Sequence, residues 1–67
     1  MAEGLTNRLR EARAERGWTQ ADLAERVGVT RKTINTVENG VFVPSTLLAL
    51  KLARALETSV EALFQLS

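Results

Sequence analysis

The sequence predicts an all-α fold, a compact bundle of five helices, and three observations carry that prediction. Apolar residues recur three and four positions apart along most of the 67-residue chain, the period of a helix with one buried face. Strand-type alternation of apolar and polar residues is nearly absent. The glycines fall between the periodic segments, where they end helices rather than weaken them. A chain of this length buries only about 60% of the surface it exposes when unfolded. Residues 1–67 are therefore expected to form one domain, with its core inside 5–66.

The first helix is expected from about Leu5 to Arg16. Leu5, Leu9 and Ala12 make one apolar stripe, Arg8, Glu11 and Glu15 occupy the opposite side, and Gly17 supplies the stop. The second opens at Thr19, an N-cap, with Asp22 three residues on as the acceptor of a short capping box. Trp18, just before that cap, faces Leu23 as a hydrophobic staple, and Gly28 ends the helix. In the third, Thr30 is the N-cap, Val29 and Ile34 are the staple pair, and Asn39-Gly40 is the end. Pro44-Ser45 starts a fourth helix whose Leu47, Leu48, Leu50, Leu52, Ala53 and Leu56 are apolar over most of the circumference, so it is expected at the centre. A short fifth helix carries Val60, Leu63 and Phe64 and is capped by Thr58 or by Ser59.

Composition excludes several functions. Nine Lys and Arg against eight Asp and Glu leave a net charge of +1, so any basic footprint must be local. With no Cys and no His, there is no disulfide framework, thiolate nucleophile, imidazole base or usual zinc ligand set. The carboxylates, Glu3, Glu11, Glu15, Asp22, Glu25, Glu38, Glu57 and Glu61, mostly sit among arginines on helix faces, as solubilising charges do. Without a glycine-rich phosphate loop or a nucleophile beside a base, no catalytic residue, metal site or cofactor is expected. No apolar run approaches the roughly 18 residues of a membrane span. Met1-Ala2-Glu3-Gly4 lacks a signal-peptide pattern. A soluble, cytoplasmic protein with no membrane contact is the resulting expectation.

The informative stretch runs from Gln20 to Asn39. Leu23, Val27, Val29, Ile34 and Val37 are five inward positions that can hold two steeply crossed helices on one core. Ala24 sits where the helices approach most closely, and Gly28 occupies the turn, where a positive φ costs other residues roughly 1 kcal/mol or more. This is the spacing of a helix-turn-helix. An ordinary helical hairpin would meet the same periodicity but leaves the outer face of the third helix unexplained. At about 100° per residue, Lys32, Asn35 and Thr36 point away from Ile34 and Val37, with Arg31 and Thr33 on the flanks. From Thr30 to Val37 there are two positive charges and no acid. Arg and Lys donate to guanine O6 and N7, Asn pairs with adenine N6 and N7, and a Thr methyl touches the thymine methyl. Trp18 offers a base-stacking aromatic, but its place before a cap favours staple or core.

Gly17-Trp18-Thr19-Gln20-Ala21-Asp22-Leu23-Ala24, Gly28-Val29-Thr30-Arg31-Lys32-Thr33-Ile34, Val37-Glu38-Asn39-Gly40 and Pro44-Ser45 resemble the Cro and phage-repressor type of helix-turn-helix regulator, the XRE family. The resemblance covers about residues 5 to 66, and the short tail from Ser59 to Phe64 is similar to small stand-alone members. It implies a double-stranded-DNA-binding transcriptional regulator, acting as a homodimer on a near-palindromic operator and associated with the nucleoid when bound; with no second domain expected, repression by occupying a promoter is the simplest outcome, and activation by touching polymerase is the alternative. It further implies that Gln20 donates to a phosphate, that Arg31, Lys32, Thr33 and Thr36 face the major groove, and that Asn39 clamps the backbone. Arg13 and Glu38 would form a largely buried, bidentate ion pair; two solvated charges on separate helices are the plainer alternative.

One departure stands out. Many relatives carry a basic or polar residue after Asn39-Gly40, where this chain has Val41-Phe42-Val43. The triplet either folds onto the fourth helix as core or meets a second subunit, and Phe64 and Leu66 pose the same question. Phe42, Val43, Phe64 and Leu66 are thus the candidate dimer residues. An antitoxin-like or co-regulatory subunit, binding another protein through this apolar surface with DNA binding secondary, is the competing reading.

Overall fold

A computed structural model describes residues 4–67; Glu3 and the residues before it lie outside the described part. Five helices and one pair of short strands follow in the order β1 (Leu5–Asn7), α1 (Leu9–Glu15), α2 (Gln20–Val27), α3 (Arg31–Glu38), α4 (Thr46–Ala55), α5 (Val60–Leu63) and β2 (Phe64–Leu66). The five expected helices are present. The all-α bundle carries one addition, the two three-residue strands, which pair antiparallel with Leu5 opposite Leu66 and Asn7 opposite Phe64.

The first helix therefore starts four residues later than its stripe suggests, and Leu5 is not part of it. Asn7 is the cause. Its Oδ1 accepts from the Leu9 amide at 3.1 Å, and its Nδ2 donates to the Val37 carbonyl at 3.0 Å. Asn commonly diverts the backbone in this way at helix starts. Meanwhile the Arg8 amide donates to the Leu63 carbonyl at 2.8 Å and the Ser67 amide to that of Gly4 at 3.0 Å. The first and last described segments are thus tied to each other.

The local signals of the other helices operate as hydrogen bonds. Thr19 and Asp22 form a reciprocal capping box, and Thr30, Ser45 and Ser59 each accept from the amide three residues on. Ser59, rather than Thr58, is thus the cap of α5. Gly28 has φ +75°, a left-handed turn with no penalty for a residue lacking Cβ.

Leu9, Leu23, Ile34 and Leu52 are fully buried, and Ala24, Val27, Val37, Leu48, Ala53, Leu56, Leu63 and Phe64 complete the core. Val29 and Trp18 pack against it half-buried. Helix α4 is central on one face only. Leu47 and Leu50, expected inside, are 64% and 56% exposed, because so small a domain has no second layer to cover that face. Among the described residues no helix is long and apolar enough to cross a membrane.

Candidate nucleic-acid interface

The site is built on the turn between α2 and α3. Only Gly28, Val29 and Thr30 separate the two helices, so the chain reverses sharply and α3 lies against α2 through Ile34 and Val37. Its Arg31, Lys32 and Asn35 side chains form the outer surface. Arg31, Lys32 and Asn35 are exposed, and neither cation has a carboxylate partner among the described residues. Thr36, expected to point straight out, is half-buried and donates its hydroxyl to the Thr33 carbonyl at 2.9 Å. Thr33 is half-buried as well, its hydroxyl 3.1 Å from that of Thr30, and it borders a groove shared with Phe42 and Leu47. Arg31, Lys32 and Asn35 are therefore the freest base-reading groups, with the threonines at their flanks.

Beneath this surface lies an ion cluster. The Glu38 side chain, at the end of α3, is fully buried, and Arg13 is 15% exposed. Arg13 reaches across from α1, Nε to Oε2 at 2.7 Å and Nη2 to Oε1 at 3.3 Å, and its Nη1 donates to the Trp18 carbonyl at 2.8 Å. Gln20 donates from Nε2 to Glu38 Oε1 at 3.0 Å. Burial by itself would raise the Glu38 pKa. The hydrogen bonds from Arg13 and Gln20, with the charges of Arg13 and Arg10, outweigh it and hold the carboxyl below the ordinary glutamate value. At the start of α2, hydrogen bonds with the Thr19 backbone and hydroxyl likewise hold Asp22 below its ordinary value.

Gln20 and Asn39 sit at the two edges of the cluster. Gln20, half-buried, spends one amide hydrogen on Glu38 and keeps a second. Asn39, exposed, accepts from Arg10 Nη2 at 3.1 Å and donates to Asn35 Oδ1 at 3.3 Å. Arg10 is the residue that sequence reasoning missed. It is one of four arginines in the expected first helix, and nothing in spacing alone separates it from a solvated charge. Trp18 is taken up by packing: the Arg26 and Arg16 guanidinium carbons lie 4.0 and 5.4 Å from its ring centroid, a cation–π arrangement.

The apolar residues after α3 resolve differently from one another. Val41, Phe42 and Val43 are 78%, 47% and 68% exposed, so they do not fold onto α4 as core. Leu66 is exposed. Phe64 is not: at 9% exposure it belongs to the core, because its place opposite Asn7 turns it inward, and its small exposed part borders a groove beside α4 and α5.

Two capped helices crossing at a glycine turn, with an exposed, acid-free face on the second, define a helix-turn-helix DNA-binding domain. The model of the HTH_3 helix-turn-helix family matches residues 9–63, and the chain belongs to that family. It is 45% identical over 62 residues to YgzD of Bacillus subtilis (strain 168), an uncharacterised HTH-type transcriptional regulator, across 92% of this chain and 94% of that one. Among solved structures it resembles the restriction-modification controller protein C.AhdI from Aeromonas hydrophila, with 38% identity, TM-score 0.77 and coverage of 82% and 83% of the two chains. It also resembles SinR, the master regulator for biofilm formation, crystallised in complex with DNA, with 29% identity, TM-score 0.75 and coverage of 81% and 87%. The family is one of DNA-binding transcriptional regulators and not of enzymes.

Proposed function

We propose that the chain is a sequence-specific repressor that binds double-stranded DNA as a homodimer on a near-palindromic operator. The observation that carries this reading is the outer face of α3, where Arg31, Lys32 and Asn35 are exposed without an acid among them. Inserted in a major groove, these three read base edges, while Thr33 and Thr36 lend methyl contacts from the flanks. Thr30 lies at the helix start, where the backbone amides suit a phosphate. Gln20, through its second amide hydrogen, and Asn39 hold backbone phosphates and so set the register. Repression follows from occupying a promoter, and residence on the cytoplasmic nucleoid follows from the DNA itself.

The dimer is supported by an open, mainly apolar groove of about 1010 Å³ between α4, α5 and the loop before α4, bordered by Leu5, Val43, Leu50 and Phe64. Leu66, 74% exposed, extends the apolar surface from β2. A patch of this kind on a small domain marks an interaction surface. To read successive major grooves, a dimer joined there needs its two recognition helices about 34 Å apart, one turn of the duplex. The exposed Val41, Phe42 and Leu47, which lie outside that groove, favour a second reading, in which a different protein binds the apolar residues after α3. Light scattering separates the two: a mass of two chains is expected, and a mass of one chain at every accessible concentration, with and without DNA, rejects the homodimer.

Selection from a random duplex library at near-physiological salt tests the function directly. Specific sites should stand about 10³-fold or more above nonspecific DNA and form a palindrome with half-sites about one helical turn apart; no enrichment would reject sequence-specific binding. At the selected site, Lys32→Ala is expected to cost about 1 to 3 kcal/mol and relax base preference there, whereas Gln20→Ala weakens all sequences alike. Unchanged affinity and preference in Lys32→Ala would show that the recognition face is misplaced.

A further inference from the structure

We propose that Arg10 is a ligand for a DNA backbone phosphate, so that the interface extends from α2 and α3 onto α1. The proposal rests on the DNA-binding reading above and names a group in it that sequence spacing and resemblance do not assign. Arg10 Nε lies 3.6 Å from Glu38 Oε1, the same oxygen that accepts from Gln20 at 3.0 Å, and Arg10 Nη2 donates to Asn39 at 3.1 Å. One guanidinium thus stands between the two amides proposed to hold phosphates.

Arg10 is not needed to neutralise Glu38. Arg13 already meets that carboxylate with two hydrogen bonds from a nearly buried position, whereas the Arg10 side chain is 63% exposed and its approach to Glu38 is longer than a hydrogen bond. The cluster of Arg10, Arg13 and Glu38 therefore carries one surplus positive charge, and it is the accessible one. Among the described residues only one Arg10 nitrogen makes a hydrogen bond, which leaves most of its five N–H donors for phosphate oxygens. The acids of the same helix lie elsewhere: Glu11 and Glu15 border the groove shared with Arg8, Arg16 and Leu56. Arg10 thus faces the side of Gln20 and Asn39 without an acid of its own helix beside it.

The test is the salt dependence of binding to a nonspecific duplex, read by fluorescence anisotropy, for the unsubstituted protein and for Arg10→Ala, Arg10→Lys and Arg8→Ala. Arg8 makes no side-chain cap hydrogen bond and lines the far groove, so it controls for the loss of one charge. Each phosphate contact contributes about 0.9 to the slope of log affinity against log salt. Arg10→Ala is expected to lower that slope by about one unit per protomer, Arg10→Lys to retain it, and Arg8→Ala to leave it unchanged. A thermal melt confirms that each variant is folded. Equal slopes for Arg10→Ala and the unsubstituted protein, or equal losses in Arg10→Ala and Arg8→Ala, would overturn the assignment of Arg10 alone. If the unsubstituted protein shows no salt-dependent binding, the DNA-binding reading falls, and this proposal with it.

Discussion

Glu38→Ala is expected to lower folding stability by about 3 to 5 kcal/mol, read as a shift in the urea or thermal midpoint. A domain of this size holds roughly 3 to 10 kcal/mol in total, so much of the population would unfold. The Glu38 side chain is fully buried and takes two hydrogen bonds from Arg13, itself 15% exposed. Its removal leaves the guanidinium with the Trp18 carbonyl as its remaining hydrogen-bond partner among the described residues. Replacing both members, Glu38→Leu with Arg13→Met, removes the stranded charge and should restore most of the loss. A single-variant loss below about 1 kcal/mol would mean that the pair behaves like an exposed ion pair. The same group makes stability pH-dependent. Because the folded carboxyl is held below its ordinary value, its contribution is fully present above the unfolded pKa and is lost as pH falls through the lower, folded one. In acid titrations the unsubstituted protein should show this loss and Glu38→Gln should lack it.

The second large effect lies in the core. Leu52→Ala is expected to cost about 2 to 5 kcal/mol, from lost apolar burial and from the cavity left behind. Leu52 is fully buried on α4, the helix against which α2 packs. Its side chain is remote in kind from recognition, since it presents no surface to solvent. DNA affinity per folded molecule, measured in the cold where the variant remains folded, should therefore match that of the unsubstituted protein. A parallel drop in affinity with the fold intact would show that α4 packing sets the docking angle of α3 as well as its stability.

The contrast between these two sites shows which relations are legible in a sequence. The caps at Thr19, Thr30, Ser45 and Ser59 and the turn at Gly28 depend on residues within four positions, and the residue type names the hydrogen bond. The outer face of α3 was legible for the same reason: once Ile34 and Val37 point inward, helical geometry assigns Lys32 and Asn35 to solvent. The strand pair was not legible, because Leu5 meets Leu66 across nearly the whole chain and three-residue strands leave too short an alternation to register. Leu47 and Leu50 failed as core predictions because apolar character says that a residue can be buried, not that a neighbour exists to bury it.

By itself, then, the sequence determined the helices from α2 to α5, the glycine turn and the chemistry available to read a base, since each is set by local backbone preference and helical period. Only the tertiary structure decided that β1 and β2 pair with each other, that Phe64 turns inward while Leu66 stays out, and that Arg10 meets Gln20 and Asn39 around one buried carboxylate. Those relations join residues up to about sixty positions apart, and they follow from how the helices pack on one small core, a property no window of the sequence contains.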